Sequence, residues 1–196
     1  MKNTLIFNIV VASFALLSFA CGHDPDPSPY ADCVQPDNKS NMAYQAFDPV
    51  ISFTTIRDTN GIDWYGSQEV DITGDGEADL LFIKSSSDIN FNGAHSQARL
   101  ETLNNDIEIL SSDSIHVDTV GNLDYICPNA SWINSSINGG HFTFYYWSPS
   151  ENRGPWLETP LESHIGLRKA STGEMGWIRV NMDNQVTIKD YAWQNQ

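Results

Sequence analysis

The chain has 196 residues, with 10 lysine or arginine against 25 aspartate or glutamate, and a formal net charge of −15 at pH 7. Such acidity argues against nucleic acid as a partner and against electrostatic adsorption to anionic lipids, because both carry phosphate groups. The length suits a single domain that is large enough to bury a hydrophobic core.

The first twenty residues have the organisation of a secretory signal peptide. Lys2 supplies an early positive charge, a predominantly apolar stretch follows, and the small residue Ala20 precedes the expected cleavage point. The stretch is too short to cross a bilayer comfortably, since a membrane-spanning helix needs about 20 apolar residues. The sequence therefore predicts a signal peptide at 1–20.

Cys21 follows the apolar stretch directly and decides the expected fate of the mature chain. Residues 17–21 read Leu-Ser-Phe-Ala-Cys, which resembles the lipobox of bacterial lipoproteins in the looser form familiar in Bacteroidota. The family prefers leucine three residues before the cysteine, a place that Ser18 holds here. The resemblance implies lipidation at Cys21 and an anchor in the outer membrane of a bacterial cell envelope, on the periplasmic or the surface side. The alternative is an ordinary secreted protein.

A segment rich in proline and aspartate runs from Gly22 to Pro29. This composition gives an extended, hydrated chain that does not pack. We therefore predict a lipid-anchored tether at 21–45 and a single domain at 46–196.

Acylation of Cys21 would leave Cys33 and Cys127 as a pair. An even number of cysteines in an oxidising compartment predicts a disulfide, with two free buried thiols as the alternative. The sequence contains no C-x-x-C motif or Cys/His cluster typical of zinc or redox sites.

From about Ala46 onward the chain alternates in the manner of β-strands, with turns rich in glycine, asparagine, serine and proline. One segment, Ala94–Leu103, has a spacing compatible with a short helix. The predicted strands are Pro49–Thr54, Asp63–Asp71, Asp79–Lys84, Ile107–Leu110, Ser114–Val120, His141–Trp147, His164–Lys169, Gly176–Met182 and Val186–Tyr191. Many short strands at this spacing favour an all-β fold, an antiparallel β-sandwich or jelly roll.

One short motif, in residues 70–80, has the spacing of a calcium-binding loop. Carboxylates fall at relative positions one, five and nine, with a hydroxyl at three and a glycine at six, and calcium takes six to eight oxygen ligands. The predicted ligands are Asp71, Thr73, Asp75, Glu77 (through its carbonyl oxygen) and Asp79.

The motif resembles the Asp-x-Asn-Gly-Asp-Gly-x-x-Asp loops of integrin-type extracellular calcium repeats. Thr73 replaces the usual asparagine or aspartate, and Phe82 stands where an EF-hand has its bidentate glutamate. The resemblance implies a weak, structural calcium site. A metal-free aspartate- and glycine-rich turn is the alternative.

The C-terminal third carries a second resemblance. It contains Gly-x-Arg at 166–168, Gly-Trp-Ile-Arg-Val at 176–180 and Asp-Tyr-Ala at 190–192. Together with an early aspartate- and glycine-rich loop, this series resembles a family of secreted bacterial β-proteins of unknown function. The resemblance supports the fold and implies no activity.

The chain does not complete any of the catalytic motifs compared with it. Glu69 and Asp71 begin like the Glu-x-Asp-x-x-Glu strand of jelly-roll β-glucanases, but Gly74 stands where the third carboxylate belongs. No Gly-x-Ser-x-Gly motif occurs, and the five histidines have no metal-ligand spacing. The sequence therefore predicts a protein that is not an enzyme.

Aromatic residues give the better indication of a ligand. On the strand predicted at 141–147, Tyr145 and Trp147 share one face and could stack on sugar rings, unless both faces of the sheet are covered. We therefore expect a membrane-anchored, non-catalytic envelope module, with polysaccharide as the leading ligand. The alternatives are a structural partner in a surface protein complex and, with less support, a glycoside hydrolase-like enzyme.

Overall fold

The computed structural model describes residues 28–57, 63–87, 95–134, 142–148, 151–153, 156, 162–182 and 185–195. Met1–Ala31 and Asp32–Gln196 form separate units, and the fold belongs to the second. The predicted signal peptide and lipidation at Cys21 lie outside the described residues. The described residues form no apolar helix of membrane-spanning length.

The domain is all-β, with two antiparallel sheets packed as a sandwich. In spatial order, the first sheet contains β1 (Met42–Phe53), β12 (Val186–Gln194), β11 (Met175–Met182), β10 (Glu162–Lys169), β6 (Ile107–Leu110) and β7 (Trp132–Ile133). The second contains β2 (Ile56–Arg57), β3 (Asp63–Val70), β4 (Leu80–Ser87), β5 (His95–Thr102), β8 (Phe142–Ser148) and β9 (Glu151–Arg153). The predicted fold class is confirmed.

The main core lies between the sheets and follows from the two-residue period of the strands. The second sheet contributes Phe82 and Leu100, and the first contributes Ile165 and Ile178, all fully buried. Each such side chain stabilises the fold by about 1.5–3 kcal/mol relative to an exposed position. Their inward alternation places the neighbouring residues of each strand on the outer faces.

The first sheet is also covered on its outer face. Trp177 and Met175 pack there with Val34 and Ile126, which come from chain segments outside the sheet. The disulfide prediction is confirmed, because Cys33 bonds to Cys127 and closes a loop with a sequence separation of 94. A loop of that length contributes about 4–5 kcal/mol in the chain-entropy model.

Most predicted strands are confirmed, with ends shifted by a few residues. The helix considered at Ala94–Leu103 is wrong, because His95–Thr102 forms β5 and pairs with strands on both sides. Strand structure begins at Met42, within the segment predicted as tether. The sequence signal there is weak because β1 is an edge strand with mostly exposed side chains.

The strand predicted at Ser114–Val120 is also wrong. Only Val120 pairs there, in an isolated bridge to His164. The preceding turn is fixed by Asp113, which accepts backbone hydrogen bonds from Ile115 and His116, and Ser114 has a left-handed φ of 64°. Asp and Ser side chains that bond locally to backbone amides compete with strand formation.

Candidate functional site

The aspartate-rich loop connects β3 to β4 and is organised by Asp71. Its Oδ1 accepts hydrogen bonds from the amides of Thr73 (3.1 Å) and Gly74 (2.6 Å), and its Oδ2 accepts one from Gly76 (2.9 Å). Both glycines have a positive φ, which side chains disfavour. Partial burial raises the pKa of Asp71, but the amide hydrogen bonds outweigh it and hold the pKa below its ordinary value.

Asp79 closes the loop from inside the domain. Its carboxylate is 1 % exposed and accepts hydrogen bonds from the amides of Ile72 and Thr73, each at 2.9 Å. The Asn104 amide donates to its other oxygen at 2.7 Å. A buried carboxylate is tolerated only when its oxygens are satisfied in this way.

Of the other predicted ligands, the Thr73 hydroxyl is buried without a hydrogen-bond partner among the described residues, whereas Asp75 and Glu77 lie on the rim of the loop. Asp75 and Glu77 are exposed, and Asp75 accepts a hydrogen bond from the Glu77 amide at 2.9 Å. Across the described part of the chain, no three His, Cys, Asp or Glu side chains are grouped to hold a metal. Calcium binding at this loop stays a prediction.

Tyr145 and Trp147, the predicted sugar platform, lie on β8. Their backbones stand opposite Ala98 and Ser96 of β5, with a register shift at the next pair. The side chains of both aromatic residues lie outside the described ones, so the platform also stays a prediction.

The sequence did not predict a charged network on the outer face of the first sheet. At its centre Asp190, 1 % exposed, accepts a 3.0 Å hydrogen bond from Nε of Arg179 and a second from Nη2. The Tyr44 hydroxyl donates to the same carboxylate at 2.9 Å. Bidentate Arg–carboxylate pairs are among the stronger polar contacts in proteins, and three donors compensate for burial of this charge.

Arg179 also links this pair to Glu162, with Nη1 at 3.4 Å from a carboxylate oxygen. Lys189 donates to the other oxygen of Glu162. The Lys189 hydrogen bond, opposed by burial and supported by the charges of Lys189 and Arg179, holds the pKa of Glu162 below its usual range. Glu162 is therefore ionised at neutral pH.

His164 lies next to this network in the interior of the outer layer. Its ring meets Trp177 edge-on at a centroid distance of 4.9 Å, and its Nδ1 is 3.3 Å from the Val120 carbonyl oxygen. Burial lowers the pKa of His164 despite the carbonyl contact and the nearby carboxylates. His164 is therefore neutral at pH 7.

A cavity of about 570 Å³ opens between residues 119–124 and the start of β10. Its polar lining includes Asn122, Asp124 and Glu162, and Leu123, 73 % exposed, adds an apolar contact. Ser163 and His164 also line it. The cavity and the charged network share Glu162 and together form the candidate site.

The site gathers residues that are far apart in the chain. Tyr44, Glu162, Arg179 and Asp190 come from four different strands of one sheet. The one available signal was the C-terminal resemblance, whose motifs contain Arg179 and Asp190. Their pairing follows only from the register that places β11 beside β12.

Comparison with known proteins gives no match. No protein-family model matches the chain, and no curated protein or solved structure matches it either. The geometry of the site is therefore the guide to the function of the chain.

Asp79→Asn should destabilise the domain by about 2–4 kcal/mol in EDTA, because the amide nitrogen of asparagine cannot accept the hydrogen bonds that the buried carboxylate accepts. Asp75→Asn in the same loop is the matched control, with an expected change within about 0.5 kcal/mol for an exposed residue. Urea unfolding measures both. Equal losses would show that Asp79 does not hold the loop.

Calcium should raise the melting temperature of the chain relative to EDTA. A site with a dissociation constant of about 10⁻⁴–10⁻³ M would add about 1.4–2.7 kcal/mol at about 10 mM calcium. Asp71→Asn should abolish this difference, and magnesium should not reproduce it. Unchanged melting temperature and protease resistance would make the loop a metal-free turn.

Stability should fall as the pH drops below about 6.5, because the unfolded chain protonates His164 near that value while the folded state does so only at lower pH. Above that range both states are neutral at this residue and its contribution does not vary. His164→Gln should remove this part of the pH dependence. Urea midpoints of both proteins at about pH 7.5 and about pH 5 test the difference.

Proposed function

We propose that this chain is a membrane-anchored envelope lipoprotein whose β-sandwich is a non-catalytic binding module for glycans. The observation that carries the proposal is the cavity beside residues 119–124, together with the charged network that continues from it. Ligand sites are concave and combine apolar contact with a few well-placed polar groups.

The lining of the cavity supports a sugar as the ligand. Sugar hydroxyls both donate and accept hydrogen bonds, and the cavity offers the Asn122 amide beside the carboxylates of Asp124 and Glu162. The exposed side chain of Leu123 provides an apolar surface for a sugar ring. The cavity also exceeds the lower limit of about 300 Å³ for small-molecule pockets.

The protonation states of the network support binding without catalysis. General acid–base catalysis works best with groups whose pKa lies near the operating pH. Glu162 has a lowered pKa, burial and the Asp190 contact raise that of Tyr44, and His164 is held neutral. Each of these three shifts moves the pKa of its group away from neutral pH.

The second candidate is a structural role in a surface protein complex. Ile56 and Tyr65 stand opposite each other on β2 and β3 and are 76 % and 50 % exposed. Adjacent exposed apolar side chains are typical of surfaces that meet another protein. This surface lies on the second sheet, so it can be tested separately from the cavity.

The first experiment is affinity electrophoresis of the full-length chain in detergent against a polysaccharide panel, with calcium present. One glycan class should retard the chain, and Asn122→Ala should weaken that binding about tenfold, the equivalent of about 1.4 kcal/mol. Asn105→Ala, an exposed asparagine in the β5–β6 connection, is the matched control and should bind normally.

Trp147→Ala distinguishes the cavity from the predicted aromatic platform. Loss of binding in this folded variant, with Asn122→Ala unaffected, would move the glycan site to β8. Failure of every glycan to bind would favour the protein-partner role. The next test of that role is to compare the proteins that co-purify with the unaltered chain and with the Ile56→Ser variant.

A further inference from the structure

Residues 32–41, here called the clasp, run along the outer side of the first sheet before β1 begins. The clasp is joined to the loop after β6 by the Cys33–Cys127 disulfide. Next to this bond, Val34 and Ile126 exchange two backbone hydrogen bonds, at 2.9 and 2.8 Å. Val34 is buried with Trp177 and Ile126 in the outer apolar cluster.

The clasp also holds the outer wall of the cavity. The Asp37 amide donates to the Asn122 carbonyl oxygen at 3.2 Å, and the Gln35 side chain donates to the Leu123 carbonyl oxygen. Both acceptors belong to the segment 119–124 that lines the cavity.

The opposite end of this wall is fixed by the sheet. Val120 and His164 exchange backbone hydrogen bonds at 2.9 and 3.1 Å, and the Ser163 hydroxyl donates to the Val120 carbonyl oxygen. Beyond Val120, residues 121–125 are exposed. The clasp attaches this exposed part of the wall through its hydrogen bonds to the carbonyl oxygens of Asn122 and Leu123.

We infer that the Cys33–Cys127 disulfide controls the cavity. In the oxidised protein, the disulfide fixes the clasp and the wall. In the reduced protein, the exposed part of the wall at residues 121–124 opens and ligand binding weakens. The inference rests on the proposed binding function for its ligand and on the clasp contacts for its mechanism. It concerns local opening, because the sheet pairings of β10, β11 and β12 do not involve the clasp.

The chemistry is a thiol–disulfide exchange with a dithiol as reductant. A thiolate of the dithiol attacks one sulfur of the pair, the S–S bond breaks, and the other cysteine leaves as a thiolate that takes up a proton. The second thiol of the reductant then displaces the first cysteine. The protein gains two thiols while the reductant becomes a disulfide. Cys33 and Cys127 are both partly exposed, so a reductant can approach them.

Hydrogen–deuterium exchange of the full-length chain, oxidised and after dithiothreitol, tests the mechanism without any glycan. When titration shows two additional thiols, exchange in peptides covering 119–127 should rise about tenfold, while β11 keeps its protection. Unchanged exchange at 119–127 would overturn the inference. Parallel loss of protection in β11 would also overturn it, since the disulfide would then hold the whole domain.

A variant that leaves the disulfide intact gives an independent test. Gln35→Ala removes one contact between clasp and wall and should raise exchange at 122–124. Gln68→Ala is the matched control, because its side chain also donates to a backbone carbonyl oxygen, that of Glu69, on the second sheet. Equal exchange at 122–124 in both variants would count against the clasp.

Binding adds the functional result. If a glycan binds the oxidised chain, reduction should weaken its affinity about tenfold, and unchanged affinity would overturn control of the cavity. If exchange responds as expected but no glycan binds either form, the clasp is supported and the glycan function alone fails.

Discussion

The central strands of the first sheet, β10 to β12, are buried on both faces, and much of the structure follows from this constraint. On β11, Ile178 and Val180 face the second sheet, while Met175 and Trp177 face the opposite way and are buried as well. A sheet with two apolar faces needs a second covering layer. Short chain segments outside the two sheets supply it here. Ordering segments without regular secondary structure costs conformational entropy, and the disulfide compensates for their weak intrinsic stability.

The same covering explains where charge is buried. Asp190 stands on the outer face, one residue before Tyr191, whose side chain belongs to the main core. Burying its carboxylate under the outer layer would cost free energy if the guanidinium group of Arg179 on the neighbouring strand did not pair with it. Arg179 in turn reaches Glu162, so the pairing that allows burial also places ionised groups at the edge of the cavity. Stability of the layer and chemistry of the site thus depend on the same side chains.

The sequence predicts features that depend on a local pattern of side chains or on the number of residues of one type. Strands with inward alternation, such as Gly176–Met182, follow from the period of the side chains, and the disulfide follows from cysteine number and compartment. The prediction for Ala94–Leu103 was ambiguous because its few apolar residues fit both the period of a helix and the period of a strand. The strands that pair with it on either side decide its structure. The charged network depends on cross-strand register between distant segments. No local pattern in the sequence predicts that Arg179 lies opposite Asp190.

The aspartate-rich loop and β12 are in contact in the fold. The indole of Trp193, two residues after Tyr191, donates a buried 2.9 Å hydrogen bond to the carbonyl oxygen of Ile72 in the aspartate-rich loop. Burial, together with the charges of Asp71 and Asp79, raises the pKa of Tyr191. The aspartate-rich loop therefore packs against β12, and a change in either element would disturb the other. This hydrogen bond joins the aspartate-rich loop between two strands of the second sheet to β12 of the first sheet, so it links the two sheets at this end of the sandwich.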